Sequence, residues 1–242
     1  MEVFPIFIIV MVLIAVSGAL ILLRPSANQD EPRLQSLSSS SMTFNNVKKM
    51  ILFFDTETTG LPRDYNAPVW DDKNWPRLVQ LSWIVANEQG FEVRKSSRII
   101  KPEGYMIPKG SSAIHGITTE RAKEEGEDLI TVLKIFVSEY DRADIVVGHN
   151  VDFDINVIDA ELCRKSMGTL SYKPTYCTKE IGTPVCKIPK GYEDGYKWPT
   201  LQELYRHLFG RDFFGAHDAA SDVEATKQCF FELKECGYIR LR

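Results

Sequence analysis

The stretch MILFFDTETTG, residues 50–60, decides the fold and indicates the chemistry. Its first five residues are apolar, as in a buried strand, and Gly60 allows a sharp turn afterwards. Asp55 and Glu57 lie two positions apart, so both carboxylates project from the same face of the strand. Neighbouring carboxylates repel each other unless a cation or a proton lies between them, which predicts a site for a hard metal ion. By itself, such a pair is more often a pair of surface charges.

A second acidic motif, GHNVDFD at residues 148–154, lies where a predicted strand is followed by a helix. The ends of such elements often carry site residues. Either Asp152 or Asp154 could face the site, and the spacing leaves both open. Asp152 would also suit the positive N-terminus of the helix.

The third motif, HDAASD at residues 217–222, opens the last predicted helix. Asp222 lies one turn into that helix, and the small residues before it permit close approach of a substrate or a neighbouring backbone. Considered alone, His217 is more typical of a histidine that bonds a carbonyl group beside a helix end.

Together, the three motifs resemble the DEDDh family of 3′–5′ exonucleases, which includes the epsilon subunit of bacterial DNA polymerase III, oligoribonuclease and ribonuclease T. The resemblance covers residues 50–233, with F-D-T-E-T-T-G, H-N-x-x-F-D and H-x-x-x-x-D in the expected order. It implies an α/β fold, a ribonuclease H-like mixed β-sheet flanked by helices. It also favours Asp154 over Asp152. The metal ligands that it implies are Asp55, Glu57, Asp154 and Asp222, with His217 as the general base.

The activity implied by the resemblance is metal-dependent release of nucleoside 5′-monophosphates from single-stranded or frayed 3′ ends of DNA. Ligands that are all carboxylates suit two Mg²⁺ or Mn²⁺ ions per site. One alternative is an exoribonuclease that trims RNA 3′ ends, and the sequence does not choose between the two substrates. Another is a catalytically silent nucleic-acid-binding module at a membrane, although all four carboxylates and the histidine are present.

Several residues near the expected metals are candidates for substrate contacts. These predicted substrate-binding residues are Thr58, Thr59, Gly60, His115 and Asn150. His115 belongs to an I-H-G-I-T segment that the family often carries, and a structural role in its loop is equally consistent. Gln80 departs from the family, since many relatives have a glutamate there, so the contacts to the terminal sugar that the resemblance implies do not carry over to this position.

The remaining pattern predicts early strands in hairpin order, followed by helices that alternate with a strand. Predicted strands cover residues 50–54, 78–86, 91–101 and 144–148. Predicted helices cover residues 128–140, 151–167, 201–209 and 218–236. Residues 182–199 show no clear element.

Composition limits how this protein can bind a polyanion. The chain of 242 residues has a formal net charge of −4, which excludes a generally basic nucleic-acid-coating protein. Binding must therefore use metal ions or a local patch. Residues 182–199 interleave lysines with Tyr192, Tyr196 and Trp198, which suits either the flank of a nucleic-acid strand or a solvated loop. The five cysteines include no C-x-x-C pair, so free thiols are expected.

The N-terminus predicts a membrane anchor. Residues 3–23 are almost entirely apolar, long enough to cross a bilayer core of about 30 Å. A cleaved signal peptide fits less well, because no basic residues precede the apolar run. Lysine and arginine follow it, which predicts a cytoplasmic catalytic domain. The predicted organisation is a transmembrane helix at 1–24, a flexible linker at 25–47 and an exonuclease domain at 48–242. A polymerase or repair partner is not identifiable from the sequence.

Overall fold

The central sheet is organised around the strand that carries the first acidic motif. The computed structural model describes residues 49–191 and 194–241. In chain order, its strands are β1 (Met50–Thr58), β2 (Leu78–Asn87), β3 (Glu92–Ile99), β4 (Ile145–Gly148) and β5 (Thr175–Cys177). They form one sheet in the order β3-β2-β1-β4-β5. β2 pairs antiparallel with both β1 and β3, whereas β4 pairs parallel with both β1 and β5.

Helices connect and cover the strands. In chain order they are α1 (Lys109–His115), α2 (Thr119–Glu125), α3 (Leu129–Arg142), α4 (Val151–Arg164), α5 (Thr178–Cys186), α6 (Leu201–Phe209) and α7 (Ala219–Glu235). Strands followed by helices on both faces give the mixed α/β sheet that the sequence predicts.

The two faces of β1 bury different helices. Leu52 and Phe54 pack into a core with α3 and α4. Ile51 and Phe53 face the opposite way, into a core with α6 and α7. Because side chains alternate along a strand, Asp55 and Glu57 continue the α7 side, whereas Thr56 continues the α4 side. The acidic end of β1 is therefore reached by helices from both layers.

Most predicted elements are present with shifted ends. The helix predicted at 201–209 has the same bounds in the structure, and a capping box at Thr200 and Glu203 begins it. The first strand is longer than its apolar run, because the acidic motif itself pairs with β2, with Thr56 opposite Leu81.

The sequence did not predict α1, α2, β5 or α5. The prediction that residues 182–199 hold no element is wrong at its start, because α5 extends to Cys186 with Pro184 inside it. Gly182 permits this helix to pack closely, since a β-carbon there would lie 2.8 Å from a Leu204 methyl group. Farther along, a bridge joins Pro189 and Tyr196.

All five cysteines are free, as expected.

The predicted transmembrane helix and linker, residues 1–47, lie outside the described residues. Within the ranges described, the structure contains no helix long and apolar enough to cross a membrane.

Candidate active site

Three carboxylates from two elements converge at the end of β1. Asp55 and Glu57 extend from the strand towards α7, and Asp222 extends from the first turn of α7. One carboxylate oxygen from each residue lies within 4.8 Å of the other two. The structure thus brings together three of the four predicted metal ligands as one oxygen-donor set.

The fourth predicted ligand approaches the same strand end from the opposite layer. Asp154 is buried in the first turn of α4, where its Oδ1 atom accepts hydrogen bonds from the Thr56 backbone N–H at 3.0 Å and hydroxyl at 2.6 Å. Asp152 is exposed. The structure therefore places Asp154, and not Asp152, beside the acidic strand. Among the described residues, Asp154 lies outside the group of three whose oxygens all approach within 4.8 Å.

Burial and mutual repulsion make these carboxyl groups hold protons more tightly than usual. Burial raises the pKa of Asp55 well above its ordinary value, and the charges of Asp154 and Asp222 add to the effect. Burial, together with the same two aspartates, raises the pKa of Glu57 to about 8. A cation bound among them would remove both penalties, which is the electrostatic condition for a metal site.

Asp154 and Asp222, the two aspartates on helices, accept hydrogen bonds that oppose the rise in their pKa values. Burial raises the pKa of Asp154 to about 7, against the two bonds from Thr56. Burial also raises the pKa of Asp222 to about 7, and the backbone N–H of His217 opposes it. Donors of this kind favour the charged carboxylate and fix its direction. Both side chains are therefore oriented before any cation binds.

The predicted general base lies beside the carboxylates on an exposed segment. His217 precedes α7 and has a φ of 68°, a left-handed conformation that is uncommon for residues other than glycine. Its backbone N–H donates to Asp222 Oδ2 at 3.1 Å, whereas the residue as a whole is exposed. The structure thus shows a backbone role for His217 in orienting Asp222.

The threonine loop after β1 is tied internally. The Thr58 hydroxyl donates to the Gly60 carbonyl at 2.6 Å. Thr59 exchanges two hydrogen bonds with the Arg77 backbone, each of 2.9 Å. Gly60 has a φ of 151°, which only glycine adopts readily. The loop therefore has a defined shape next to the acidic group, and substrate contacts by these residues stay a prediction.

His115 is a buried residue at the end of α1. Its Nδ1 atom accepts a hydrogen bond from the Ile117 backbone N–H at 3.1 Å. The Nε2 atom lies buried near the Thr58 backbone and has no well-formed hydrogen bond to a described residue. Burial lowers the pKa of His115, which favours the neutral form of the ring. Its predicted contact with substrate also stays a prediction.

The second motif contains a structural histidine that the sequence did not single out. His149 lies 3.0 Å from the Thr178 hydroxyl through Nδ1 and 3.1 Å from the Pro199 carbonyl through Nε2. Burial lowers its pKa to about 4. The next residue, Asn150, has a φ of 85° and accepts a hydrogen bond from Lys179 through its amide oxygen. The motif thus joins the end of β4 to α5 and to the segment before α6.

Asp218 and Gln80 also shape the site and were not predicted as members. Asp218 caps α7, and its charge raises the pKa of Asp55, Glu57 and Asp222. The Gln80 amide group donates to Asp218 Oδ1 at 3.1 Å, and its oxygen accepts from the Ala219 backbone N–H at 3.4 Å. An aspartate at the start of a helix is a recognisable capping signal, which could have identified Asp218.

Residues 52–230 match the family model described as "Exonuclease", of the ribonuclease T type. The chain belongs to the exonuclease family of the ribonuclease H-like superfamily. The DEDDh resemblance inferred from the three motifs is thereby confirmed.

Two curated relatives of this chain are named as a bacterial DNA polymerase III and as a subunit of one. A "DNA polymerase III PolC-type" from Streptococcus thermophilus is 28% identical over 178 residues, which cover 74% of this chain and 11% of that protein. A "DNA polymerase III subunit epsilon" from Treponema pallidum is 26% identical over 179 residues, covering 73% of each chain. The exonuclease therefore spans only a small part of its PolC-type relative and most of the epsilon subunit.

Solved structures support the fold. E. coli exonuclease I in complex with a dT13 oligonucleotide superposes with a TM-score of 0.62 at 23% identity, covering 77% of this chain and 41% of that one. The apo form of exonuclease I gives a TM-score of 0.61 at 22% identity, with 78% of this chain covered. The ribonuclease H-like exonuclease fold predicted from the sequence is thus confirmed for the described domain.

Proposed function

We propose that this protein is a metal-dependent 3′–5′ exonuclease that releases nucleoside 5′-monophosphates from single-stranded or frayed DNA ends. The observation that carries the proposal is the oxygen-donor set of Asp55, Glu57 and Asp222, all within 4.8 Å. Membership of the exonuclease family and the two polymerase-associated relatives support the same chemistry and favour DNA as the substrate.

The residues fit divalent cations. Asp55, Glu57 and Asp222 would hold them, and Asp154 would join from the α4 side. Their oxygens suit Mg²⁺ or Mn²⁺, and their raised pKa values support a site that a bound cation or proton would stabilise. Two such ions would activate the attacking water and stabilise the leaving 3′ oxygen.

The chain itself would supply positioning and a proton acceptor. Thr56 fixes Asp154 by two hydrogen bonds, and the His217 backbone fixes Asp222 by one. We propose that the His217 imidazole accepts the proton of the attacking water, because the His217 backbone contacts Asp222 and the residue is exposed. The Thr58–Gly60 loop, His115 and Asn150 would contact the terminal nucleotide.

The decisive experiment uses the full chain with a DNA oligonucleotide labelled at either end. With Mg²⁺, a 3′ label should be released at once as a mononucleotide, whereas a 5′ label should give a ladder of shortened products. EDTA should stop both reactions. Absence of Mg²⁺-dependent mononucleotide release from DNA and RNA alike would contradict the proposal and leave the silent binding module.

Matched variants connect the activity to this site. Asp55→Asn or Asp222→Asn should abolish cleavage without unfolding the protein, whereas Asp152→Asn, an exposed aspartate in the second motif, should cleave at the wild-type rate. His217→Ala should lower the rate by about 10²–10⁴-fold. A wild-type rate in His217→Ala would remove this residue from the proton transfer.

The exoribonuclease alternative is tested on the same material. RNA and DNA oligonucleotides of equal sequence should differ in kcat/KM, with DNA preferred. A preference for RNA would assign RNA 3′ trimming instead, through the same residues.

We also propose that residues 3–23 anchor the nuclease in a membrane with the catalytic domain in the cytoplasm. The length of the apolar run and the lysines and arginines after it support this placement. The full chain should sediment with membranes after a carbonate wash, and protease added to sealed right-side-out vesicles should leave the domain intact. Recovery in the soluble fraction would contradict the anchor.

A further inference from the structure

An exposed tryptophan is held against a lysine near the proposed active site. The Nζ atom of Lys179 lies 3.9 Å from the centroid of the Trp198 ring. Trp198 is 63% exposed, which is unusual for so large an apolar surface. A cation beside an exposed indole combines the two features that proteins use to bind single-stranded nucleic acid, a stacking surface and a positive charge.

The pair lies at the same edge of the sheet as the carboxylates. β1, β4 and β5 run parallel, so their carboxyl ends meet at one edge. Lys179 follows the end of β5 by two residues, as Asn150 follows the end of β4. A hydrogen bond joins the Lys179 ammonium to the Asn150 amide oxygen. Since Asn150 precedes Asp154 by four residues, the pair is linked directly to the motif that supplies a carboxylate.

The residues on both sides of Trp198 are anchored, while Trp198 itself is exposed. The next residue, Pro199, has its carbonyl 3.1 Å from His149 Nε2. The preceding residue, Lys197, has its ammonium 2.6 Å from a Glu203 carboxylate oxygen. A ring presented by fixed neighbours loses little conformational freedom when a ligand binds to it.

No carboxylate of a described residue pairs with Lys179. Lys197 has a carboxylate partner in Glu203, but no ion pair between described residues involves Lys179. Its partners are an amide oxygen and an aromatic ring, both neutral. In a chain of net charge −4, a lysine near the acidic site that has no acidic partner among the described residues is suited to a phosphate group.

We propose that Lys179 and Trp198 form a subsite that binds the single strand upstream of the nucleotide being removed. A base stacks on the face of Trp198 that Lys179 leaves open, and the Lys179 ammonium contacts a phosphate of the same strand. This subsite rests on the proposed function for its position relative to the cut. It specifies the substrate further, because a base can stack there only when it is unpaired.

Binding without cleavage tests the subsite independently of activity. Anisotropy of a fluorescent single-stranded oligothymidylate is measured with the full chain in EDTA. Trp198→Ala should raise the Kd by about tenfold or more, since stacking on an aromatic side chain contributes about that factor per base. Trp198→Phe keeps an aromatic face and should retain most of the affinity. Lys179→Met should raise the Kd and reduce its dependence on salt by about one phosphate contact.

Trp70→Ala provides the matched control. Trp70 is 74% exposed, and it lines a cavity with Arg164, the last residue of α4. Arg164 follows Asp154 by ten residues, about 15 Å along the helix. This variant should bind the oligonucleotide as the wild type does. Equal affinities of wild type and Trp198→Ala would overturn the subsite, as would an equal loss in Trp70→Ala.

A kinetic measurement separates this proposal from the proposed function. The p-nitrophenyl ester of thymidine 5′-monophosphate offers one nucleotide and therefore no upstream strand. With Mg²⁺, the ratio of kcat/KM for the oligonucleotide to that for the ester should fall about tenfold in Trp198→Ala. An unchanged ratio would overturn the subsite while leaving the nuclease assignment intact. If the wild-type protein cleaves no substrate but Trp198→Ala still weakens oligonucleotide binding, the nuclease assignment is overturned and the subsite is kept.

Discussion

Replacing Glu57 by glutamine should stabilise the metal-free protein. Burial and the neighbouring aspartates raise the pKa of Glu57 from 4.5 to about 8. At about 1.4 kcal/mol for each tenfold change in proton affinity, keeping this carboxylate charged costs the fold up to about 5 kcal/mol. Two effects reduce this figure. Glu57 shares its protons with the neighbouring aspartates, and the amide of the replacing glutamine must itself be desolvated. We expect a gain of at least about 1 kcal/mol, or a Tm higher by about 2–4 °C.

The gain should depend on pH in one direction. A carboxyl group whose pKa is raised in the folded state contributes stability that is complete below its unfolded pKa, here 4.5. That stability is lost as the pH rises through about 8. The difference between Glu57→Gln and the wild type should therefore grow between about pH 5 and pH 9. Thermal unfolding of the full chain in EDTA at several pH values measures it.

Added Mg²⁺ should reverse the order of stability. It should raise the Tm of the wild type, because a cation that binds only the folded state stabilises it, and it should raise that of Glu57→Gln much less. Glu124→Gln, an exposed glutamate on α2, is the control and should match the wild type throughout. A variant no more stable than the wild type at pH 9, or a difference that shrinks as the pH rises, would refute the electrostatic reasoning.

Three further perturbations address the neighbouring contacts. Thr56→Val removes the hydroxyl that donates to Asp154 at 2.6 Å, so the pKa of Asp154 should rise. The acid limb of the pH–rate profile should then move up by about one pH unit, and an unmoved limb would contradict this. Gln80→Glu replaces the amide donor facing Asp218 by a carboxylate, so the Tm in EDTA should fall more steeply with rising pH than in Gln80→Ala; parallel curves would argue against it. His149→Phe loses two buried hydrogen bonds and should lower the free energy of unfolding by about 1–3 kcal/mol in urea titrations, with an unchanged value showing that the contacts are dispensable.

The acidic strand was predictable because its signals are local. Alternation along residues 50–58 fixes which side chains share a face, and the structure shows Asp55 and Glu57 on the α7 side. The helix at 201–209 was equally clear, because a threonine cap and a glutamate three residues later mark its start. Each of these signals lies within a short run of consecutive residues.

The missed elements lack such signals. β5 has only three residues, too few for an alternating pattern. α5 contains Gly182 and Pro184, both of which argue against a helix in isolation. Packing decides in its favour, since Ile181 and Val185 join the core formed by α6 and α7. Tertiary contacts of this kind are absent from a reading of local propensity.

The choice between Asp152 and Asp154 had a usable signal in the helix period. Residues three, four and seven positions apart share a helix face. Asp154 is thereby grouped with Val157, Ile158 and Glu161, all of which are buried, whereas Asp152 is exposed. The buried face therefore selects Asp154 without reference to any family. Its partner Thr56 was unpredictable, because the hydrogen bond joins segments far apart in sequence.

The site is completed only where two cores meet. Asp55 and Glu57 face the core of α6 and α7, while Thr56, between them, faces the core of α3 and α4 and holds Asp154. Asp222 and Asp154 therefore lie on helices that cover opposite faces of the sheet. They approach each other only at the end of β1, beyond the two apolar cores. Burial raises the pKa of both aspartates, and the charges of Asp222 beside Asp154 and of Asp218 beside Asp222 add repulsion, so the metal-free fold holds an unfavourable charge at the junction of its layers. A bound cation would remove that repulsion and connect both layers through one strand end, so metal affinity and the packing of the two helical layers should rise and fall together.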